Sequence, residues 1–180
     1  MIKKILLTIV LVAVLLVGGL LTVIATRPDN FKVSRSAVIP APPAVVFEQV
    51  NDLHKFNEWS PWSKIDPNAK LIFEGPAAGR GATFGWAGNA DIGEGRMIIT
   101  ESRPNEQILM DLIFIKPFEG TSLTEFTFKP EGDGTNITWT MSGKNNFFAK
   151  AIGLVMDCDT MIGGQFEKGL ENLKARVAGR

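Results

Sequence analysis

The chain has 180 residues, enough for one folded domain and a short additional segment. Its 19 basic and 19 acidic residues leave no net charge. Outside the N-terminal tail the lysines and arginines form no cluster, so nucleic acid is not an expected partner. The single cysteine, Cys158, excludes an internal disulfide and a cysteine-based metal site. We expect neither a bound metal nor a cofactor.

The N-terminal segment is strongly apolar. Ile5–Thr26 contains 22 residues without a charge, which is long enough to span the hydrocarbon core of a bilayer. A cleaved secretory signal is the alternative, with Val23–Ala25 as the cleavage region, but the apolar region of a signal usually has about 7–15 residues. We therefore predict an uncleaved single-pass anchor over residues 1–26, a linker over residues 27–30 and a domain over residues 31–180.

The charges that flank this segment bear on its orientation. Lysine and arginine are enriched on the cytoplasmic side of membrane spans. Lys3 and Lys4 favour a cytoplasmic N-terminus, whereas Arg27, Lys32 and Arg35 follow the other end of the segment. We expect the domain on the extracytoplasmic (periplasmic) side of the membrane.

The domain begins with a strand and two short helices. Phe31–Ile39 is predicted as the strand, and the prolines after it favour the start of a helix over Ala44–Val50. Asn51 and Asp52 are suitable caps for a second short helix, which ends near Trp59.

From Lys70 onward, apolar residues recur at every second position, which is the period of a β-strand. Pro130–Gly134 is a strong hairpin signal between the last two strands. A run of strands with helices only at its ends predicts an α+β fold, in which an antiparallel sheet is packed on one face by helix. The predicted strands are 71–75, 81–89, 93–102, 107–115, 123–129 and 135–143.

The last predicted element is one long amphipathic helix over Phe147–Val177. Two features distinguish it from a simple core helix. Asp159 interrupts its apolar stripe, and each of its glycines costs about 1 kcal/mol of helix stability relative to alanine. Glycines in a long helix usually allow another backbone, or a ligand, to come close. The stripe is Phe148, Ile152, Val155, Asp159, Ile162, Phe166, Leu170, Leu173 and Val177, and the glycines are Gly153, Gly163, Gly164 and Gly169.

Five segments of the chain carry a family resemblance. They are IPAPPAVVFEQVNDL, EWSPWSKIDP, GPAAGRGATFGWAGN, GEGRMIITES and DTMIGGQFEKGLENLK. In this order they resemble the SRPBCC (START-like, Bet v 1-like) superfamily, specifically its polyketide cyclase/dehydrase and lipid transport branch, over residues 31–177. The resemblance implies a helix-grip fold, in which a curved antiparallel sheet grips the C-terminal helix and leaves an apolar cavity. It is less specific for activity, because the superfamily includes binding proteins, transporters and a few enzymes.

Aromatic and methionine side chains on the inward face of the sheet would line such a cavity and bind a lipid or another hydrophobic small molecule. The alternative is that they simply fill the core. Trp59 and Trp62 could plug one end of the domain, border the mouth of the cavity or lie at the membrane interface. The candidate ligand-binding residues are Trp59, Trp62, Phe84, Trp86, Met97, Met110, Leu112, Phe114, Phe126, Phe128, Trp139, Met141, Val155, Asp159, Ile162 and Phe166.

Two titratable side chains are weak candidates for acid–base catalysis. A carboxylate such as Asp159 on an apolar helix face is costly unless it is protonated or paired, and Arg35 and Arg96 are the candidate partners. His54 is the only histidine, and an isolated surface position is its simpler interpretation. No nucleophile motif, metal-ligand spacing or phosphate-binding loop accompanies them in the sequence. A membrane-anchored binding protein is therefore the favoured function, with an aromatase/cyclase-like enzyme and an envelope interaction module without a ligand as alternatives.

Overall fold

The computed structural model describes residues 2–155 and 157–179 of the chain. The described residues form helices and strands in the order that the sequence pattern predicts, apart from the last helix. The elements are α1 (Ile2–Ala25), β1 (Asn30–Ile39), α2 (Pro43–Asn51), α3 (Leu53–Trp59), β2 (Lys70–Glu74), β3 (Thr83–Ala87), β4 (Glu94–Arg103), β5 (Gln107–Lys116), β6 (Gly120–Glu131), β7 (Gly134–Lys144), α4 (Phe147–Ile152) and α5 (Cys158–Val177).

The chain divides into two compact units. The first unit joins Met1–Phe31 to Lys144–Asp157, and the second comprises Lys32–Gly143 and Cys158–Arg180. The first unit thus includes a later stretch of chain that lies within the predicted domain, residues 31–180. The predicted boundaries between anchor, linker and domain stay a prediction.

The first unit contains α1 and α4. The stretch Lys3–Ala25 of α1 contains an 18-residue window with a mean hydropathy of 2.9, and it is long and apolar enough to cross a membrane, a property that signal sequences share. The chain after α1 is tied to α4 by Lys150, whose ammonium group bonds to the carboxylate of Asp29. This hydrogen bond and the charge of Lys150 lower the pKa of Asp29 below its ordinary value. The backbone N–H of Asn145 also donates to the carbonyl of Asp29 (2.7 Å).

The second unit is built on the sheet, whose strand order is β1-β7-β6-β5-β4-β3-β2. Each neighbouring pair from β2 to β7 is antiparallel. Residues at alternate positions, such as Phe126 opposite Trp139, turn to one face and are buried. Phe166 of α5 stacks on Trp139, with ring centroids 4.2 Å apart. A curved antiparallel sheet around a C-terminal helix confirms the predicted α+β helix-grip fold.

The short helices α2 and α3 also confirm the prediction. Pro43 occupies the first turn of α2, where its fixed φ suits a helix and its missing N–H leaves no hydrogen bond unmade. Asp52 caps α3, because its carboxylate accepts hydrogen bonds from the backbone N–H groups of His54 (2.9 Å) and Lys55 (3.3 Å). Phe56 and the rest of the apolar side of α3 then face the core.

The prediction of one helix over Phe147–Val177 was wrong, because the structure contains α4 and α5 instead. Gly153 is the C-cap of α4, and its N–H bonds to the carbonyl of Ala149 (2.9 Å). Glycine is a weak helix former, so the helix can end there at little cost. Asp159 lies in the first turn of α5, where the helix dipole favours a carboxylate. It therefore marks the beginning of a helix rather than a defect inside one.

Candidate ligand-binding cavity

A cavity of about 360 Å³ lies inside the second unit. Its walls come from β2–β7, from the segment that follows α3 and from the N-terminal half of α5. Sites for small organic ligands usually have about 300–1,000 Å³, so the cavity is large enough for a modest ligand.

Most of the side chains in the wall are apolar, and many of them are candidates from the sequence. For those on the strands, the period-two pattern predicts the face of the sheet that the structure turns towards the cavity. The candidates that line the cavity are Trp62, Phe84, Trp86, Met97, Leu112, Phe114, Trp139, Met141, Ile162 and Phe166.

Four other candidates lie in the packed core and not in the cavity wall: Trp59, Met110, Phe126 and Phe128. The helices α2 and α3 cover this part of the sheet, as the contact between Phe47 of α2 and Phe128 shows (ring centroids 5.3 Å apart). In this structure these four side chains are part of the packed core. We leave them out of the proposed site.

The two tryptophans around Ser60–Pro61 have different positions. Trp59 is buried, and its indole N–H donates to the carbonyl of Gln49 (2.9 Å), as expected for a plug in the core. Trp62 lines the cavity and meets Trp139 edge-on, with ring centroids 5.9 Å apart. One of the pair thus belongs to the core and the other to the cavity wall.

Val155 and Asp159 are likewise outside the cavity wall. Val155 follows α4 and is 85% exposed. The carboxylate of Asp159 accepts a hydrogen bond from the guanidinium of Arg35 (3.0 Å), which also donates to Glu167 (2.7 Å). These two acceptors raise the pKa of Arg35. Asp159 is thus an exposed carboxylate paired with Arg35, one of its two candidate partners, and we leave it out of the proposed site.

His54 is also outside the cavity wall. Its side chain is exposed on α3 and its ring stacks on Phe73 of β2, with centroids 3.8 Å apart. This is the surface position that the simpler interpretation of a single histidine predicts. Neither candidate for acid–base catalysis lines the cavity.

Sequence reasoning missed the turns that complete the wall. Asp66, in the segment after α3, accepts hydrogen bonds from the backbone N–H groups of Asn68 (3.0 Å) and Asn89 (2.7 Å). The indole N–H of Trp86 donates to the carbonyl of Ile92 (3.0 Å). The bond between Asn89 and Asp66 joins the segment after α3 to the turn between β3 and β4, and the bond of Trp86 holds that turn against β3. Turn residues show no periodic pattern in the sequence. The only indication that they belong to the cavity wall was their position beside the tryptophan-containing segments.

The charged groups of the cavity wall are all acidic. Its two carboxylates belong to Asp66 and Asp91, and no lysine, arginine or histidine lies among the lining residues that the structure describes. The described part of the chain also contains no group of His, Cys, Asp and Glu that could hold a metal ion. One lining residue, Trp139, carries a buried N–H without a hydrogen-bond partner among the described residues.

Sequence comparison identifies the family to which this fold belongs. Residues 30–178 match the family described as polyketide cyclase/dehydrase and lipid transport. The chain belongs to this family. The resemblance to the SRPBCC superfamily is thereby confirmed. A search of curated proteins finds no significant match.

Solved structures share the fold at low sequence identity. A protein from Chromobacterium violaceum is 18% identical with a TM-score of 0.58, and the match covers 84% of this chain and 98% of that one. A protein from Thermus thermophilus is 20% identical with a TM-score of 0.59, covering 83% and 98%. The di-domain ARO/CYC protein BexL is 15% identical with a TM-score of 0.60, covering 88% of this chain and 53% of BexL. At these identities the similarity supports the fold alone.

The family match includes the whole cavity wall. All lining residues lie between Phe56 and Phe166, inside residues 30–178 of the polyketide cyclase/dehydrase and lipid transport match. The helix α1 lies outside that match. Family membership therefore bears on the cavity and not on the N-terminal helix.

Proposed function

We propose that this family member binds a hydrophobic small molecule or a lipid in the cavity. The observation that carries the proposal is a space of about 360 Å³ with walls of mainly aromatic, aliphatic and methionine side chains. An apolar molecule in this space would leave water and would supply the dispersion contacts that the walls lack. Met97 and Met141 are flexible wall residues that can adapt to ligands of different shape.

The two alternative functions have less support. An aromatase/cyclase-like reaction needs converging acid–base groups, but His54 and Asp159 lie outside the wall and Asp66 is occupied by two backbone N–H groups. An interaction module without a ligand would be expected to have a filled core. The cavity argues against that alternative.

Replacing Leu112 with tryptophan should abolish retention of the ligand. Leu112 lies on β5, opposite Met97 of β4, and lines the cavity. The larger indole would take up space that the ligand needs. Native mass spectrometry of the full chain, released from nanodiscs, should show an added mass on the natural protein that organic solvent removes. The Leu112→Trp variant should show the bare protein mass.

Ile115→Trp is the matched control for this experiment. Ile115 lies on the same strand, is 40% exposed and does not line the cavity, so its variant should keep the added mass. Equal retention by the Leu112→Trp and natural proteins would show that the ligand is bound elsewhere. A bare mass for the natural protein, even after incubation with total lipid extract, would contradict the proposal.

We also infer that α1 anchors the protein in a membrane, with the domain on the extracytoplasmic side. Its 24 residues span roughly 36 Å at about 1.5 Å per residue, against a hydrocarbon core of about 30 Å. The run from Ile5 to Ala25 carries no charge, so all of it can lie in lipid. An anchored protein would have a short path for a lipid from the bilayer to the cavity.

The mature protein should therefore retain residues 1–25 and sediment with membranes until detergent is added. Deletion of residues 2–26 should release it into the soluble fraction, and protease added to intact spheroplasts should degrade the domain of the natural protein. Intact mass spectrometry and cell fractionation measure these outcomes. A mature mass that begins after Ala25 would identify a cleaved signal and contradict the anchor. Protection from protease in spheroplasts would contradict the orientation.

A further inference from the structure

The helix α4 is fixed at the C-terminal end of α1, within the first unit. Nζ of Lys150 in α4 lies 3.5 Å from the carbonyl oxygen of Ala25, the last residue of α1. Asn145, just before α4, donates from its backbone N–H to the carbonyl of Asp29 (2.7 Å) and from its side chain to the carbonyl of Pro28 (3.2 Å). With the ion pair between Lys150 and Asp29, these contacts join α4 to the chain that leaves α1.

The exposed surface of α4 is apolar. Phe147 and Phe148, its first two residues, are each 52% exposed, and none of its six residues, all of them described, is buried. Val155, which follows α4, is 85% exposed. Single apolar side chains are common on protein surfaces, but adjacent phenylalanines leave a large apolar area in water. Such a surface usually marks a site that a partner or a membrane covers.

The position of α4 relative to α1 indicates what covers this surface. The uncharged run of α1 ends at Thr26, and Arg27 is the first charged residue after it. In a membrane-spanning helix this change marks the boundary of the hydrocarbon core. Because α4 is bonded to the residues around this boundary, it lies at the same level. Arg27 and Lys144 are exposed cations that suit lipid phosphates, and the carboxylate of Asp29 is already paired with Lys150.

We propose that α4 lies on the surface of the bilayer that α1 crosses, with Phe147 and Phe148 inserted among the lipid headgroups. Helices with aromatic residues on one side bind membranes in this way, with the apolar side at the boundary between headgroups and acyl chains. The inference rests on the proposed membrane anchor and adds a second lipid contact to it. The bilayer is the favoured cover because α1 already brings it to this end of the first unit, so no further molecule is needed.

The test places a photoreactive phenylalanine analogue on α4. Benzoylphenylalanine replaces Phe147 in one variant of the full chain and Phe148 in another, and cells that produce each variant are illuminated. The analogue keeps the phenyl ring and, in light, bonds to C–H groups that touch it. We expect the purified protein to gain the mass of one phospholipid at each position, as measured by intact mass spectrometry.

Two further positions serve as controls. Val14, in the middle of α1, is 62% exposed and reports whether α1 itself lies in lipid. Asp133 is exposed in the turn before β7, whereas α4 follows the other end of that strand. The yield of lipid adduct at residues 147 and 148 should be several times the yield at residue 133. All four probes replace exposed side chains, so the variants should fold.

The outcomes separate this inference from the proposed anchor. A lipid adduct at residue 14 but not at residues 147 and 148 would overturn the inference and leave the anchor intact. Absence of a lipid adduct at residue 14 would overturn both. Cross-linking of residue 147 to a protein would show that a second copy or another protein covers α4, and would overturn the inference. Equal yields at residues 133 and 147 would also overturn it, because the contact would not be specific to α4.

Discussion

Replacing Phe126 with alanine should lower the free energy of unfolding by about 3–5 kcal/mol, the range for a large side chain removed from a packed core. Phe126 is fully buried on β6 and contacts the rings of Trp139 (4.9 Å), Phe56 (6.1 Å) and Trp59 (6.4 Å). A native domain is stable by only about 5–15 kcal/mol, so the variant should unfold at much lower denaturant concentration. Tryptophan fluorescence during urea unfolding of the full chain in bicelles measures the change.

Phe114→Ala is the control for this prediction. Phe114 is half-buried on β5 and lines the cavity, so its removal enlarges an existing space instead of creating a new one. It should lower the free energy of unfolding by less than half as much as Phe126→Ala. Equal losses for the two variants would mean that the cavity wall is packed as tightly as the core.

This contrast shows what the period of the strands can predict. The inward positions of Phe126 on β6 and Phe114 on β5 follow from the alternation within each strand, because successive side chains turn to opposite faces. Alternation cannot show which inward side chains are covered by α2 and α3. That depends on the place where the helices pack, as with Phe47 against Phe128. Sequence pattern therefore predicted the face of the sheet but not the boundary between core and cavity.

The C-terminal helices show a second limit of the same kind. The apolar stripe continues across Gly153, so periodicity alone predicts an unbroken helix. The choice between a continuous and an interrupted helix depends on capping and packing, and an apolar stripe carries no information about either. The same holds for Asp159, whose partner Arg35 lies on β1, 124 positions earlier in the chain. The sequence offered Arg35 and Arg96 as partners of Asp159, and the structure was needed to identify Arg35.

Replacing Gly169 with valine should lower the free energy of unfolding by about 3 kcal/mol, the upper end of the usual cost of overpacking. A Cβ atom at Gly169 would lie 2.8 Å from Cζ3 of Trp139 and 3.1 Å from Cδ of Pro61. Neither neighbour can move easily, because Trp139 is stacked on Phe166 and the proline ring is rigid. The same urea experiment measures the loss. The glycine is thus required by the close approach of α5 to the sheet.

Gly164→Val places the same side chain on the same helix at an open position. A Cβ atom at Gly164 would meet no described atom within 4 Å outside its own helix, so stability should change by no more than about 0.5 kcal/mol. Equal losses for the two variants would attribute the effect to valine in a helix and not to packing against Trp139.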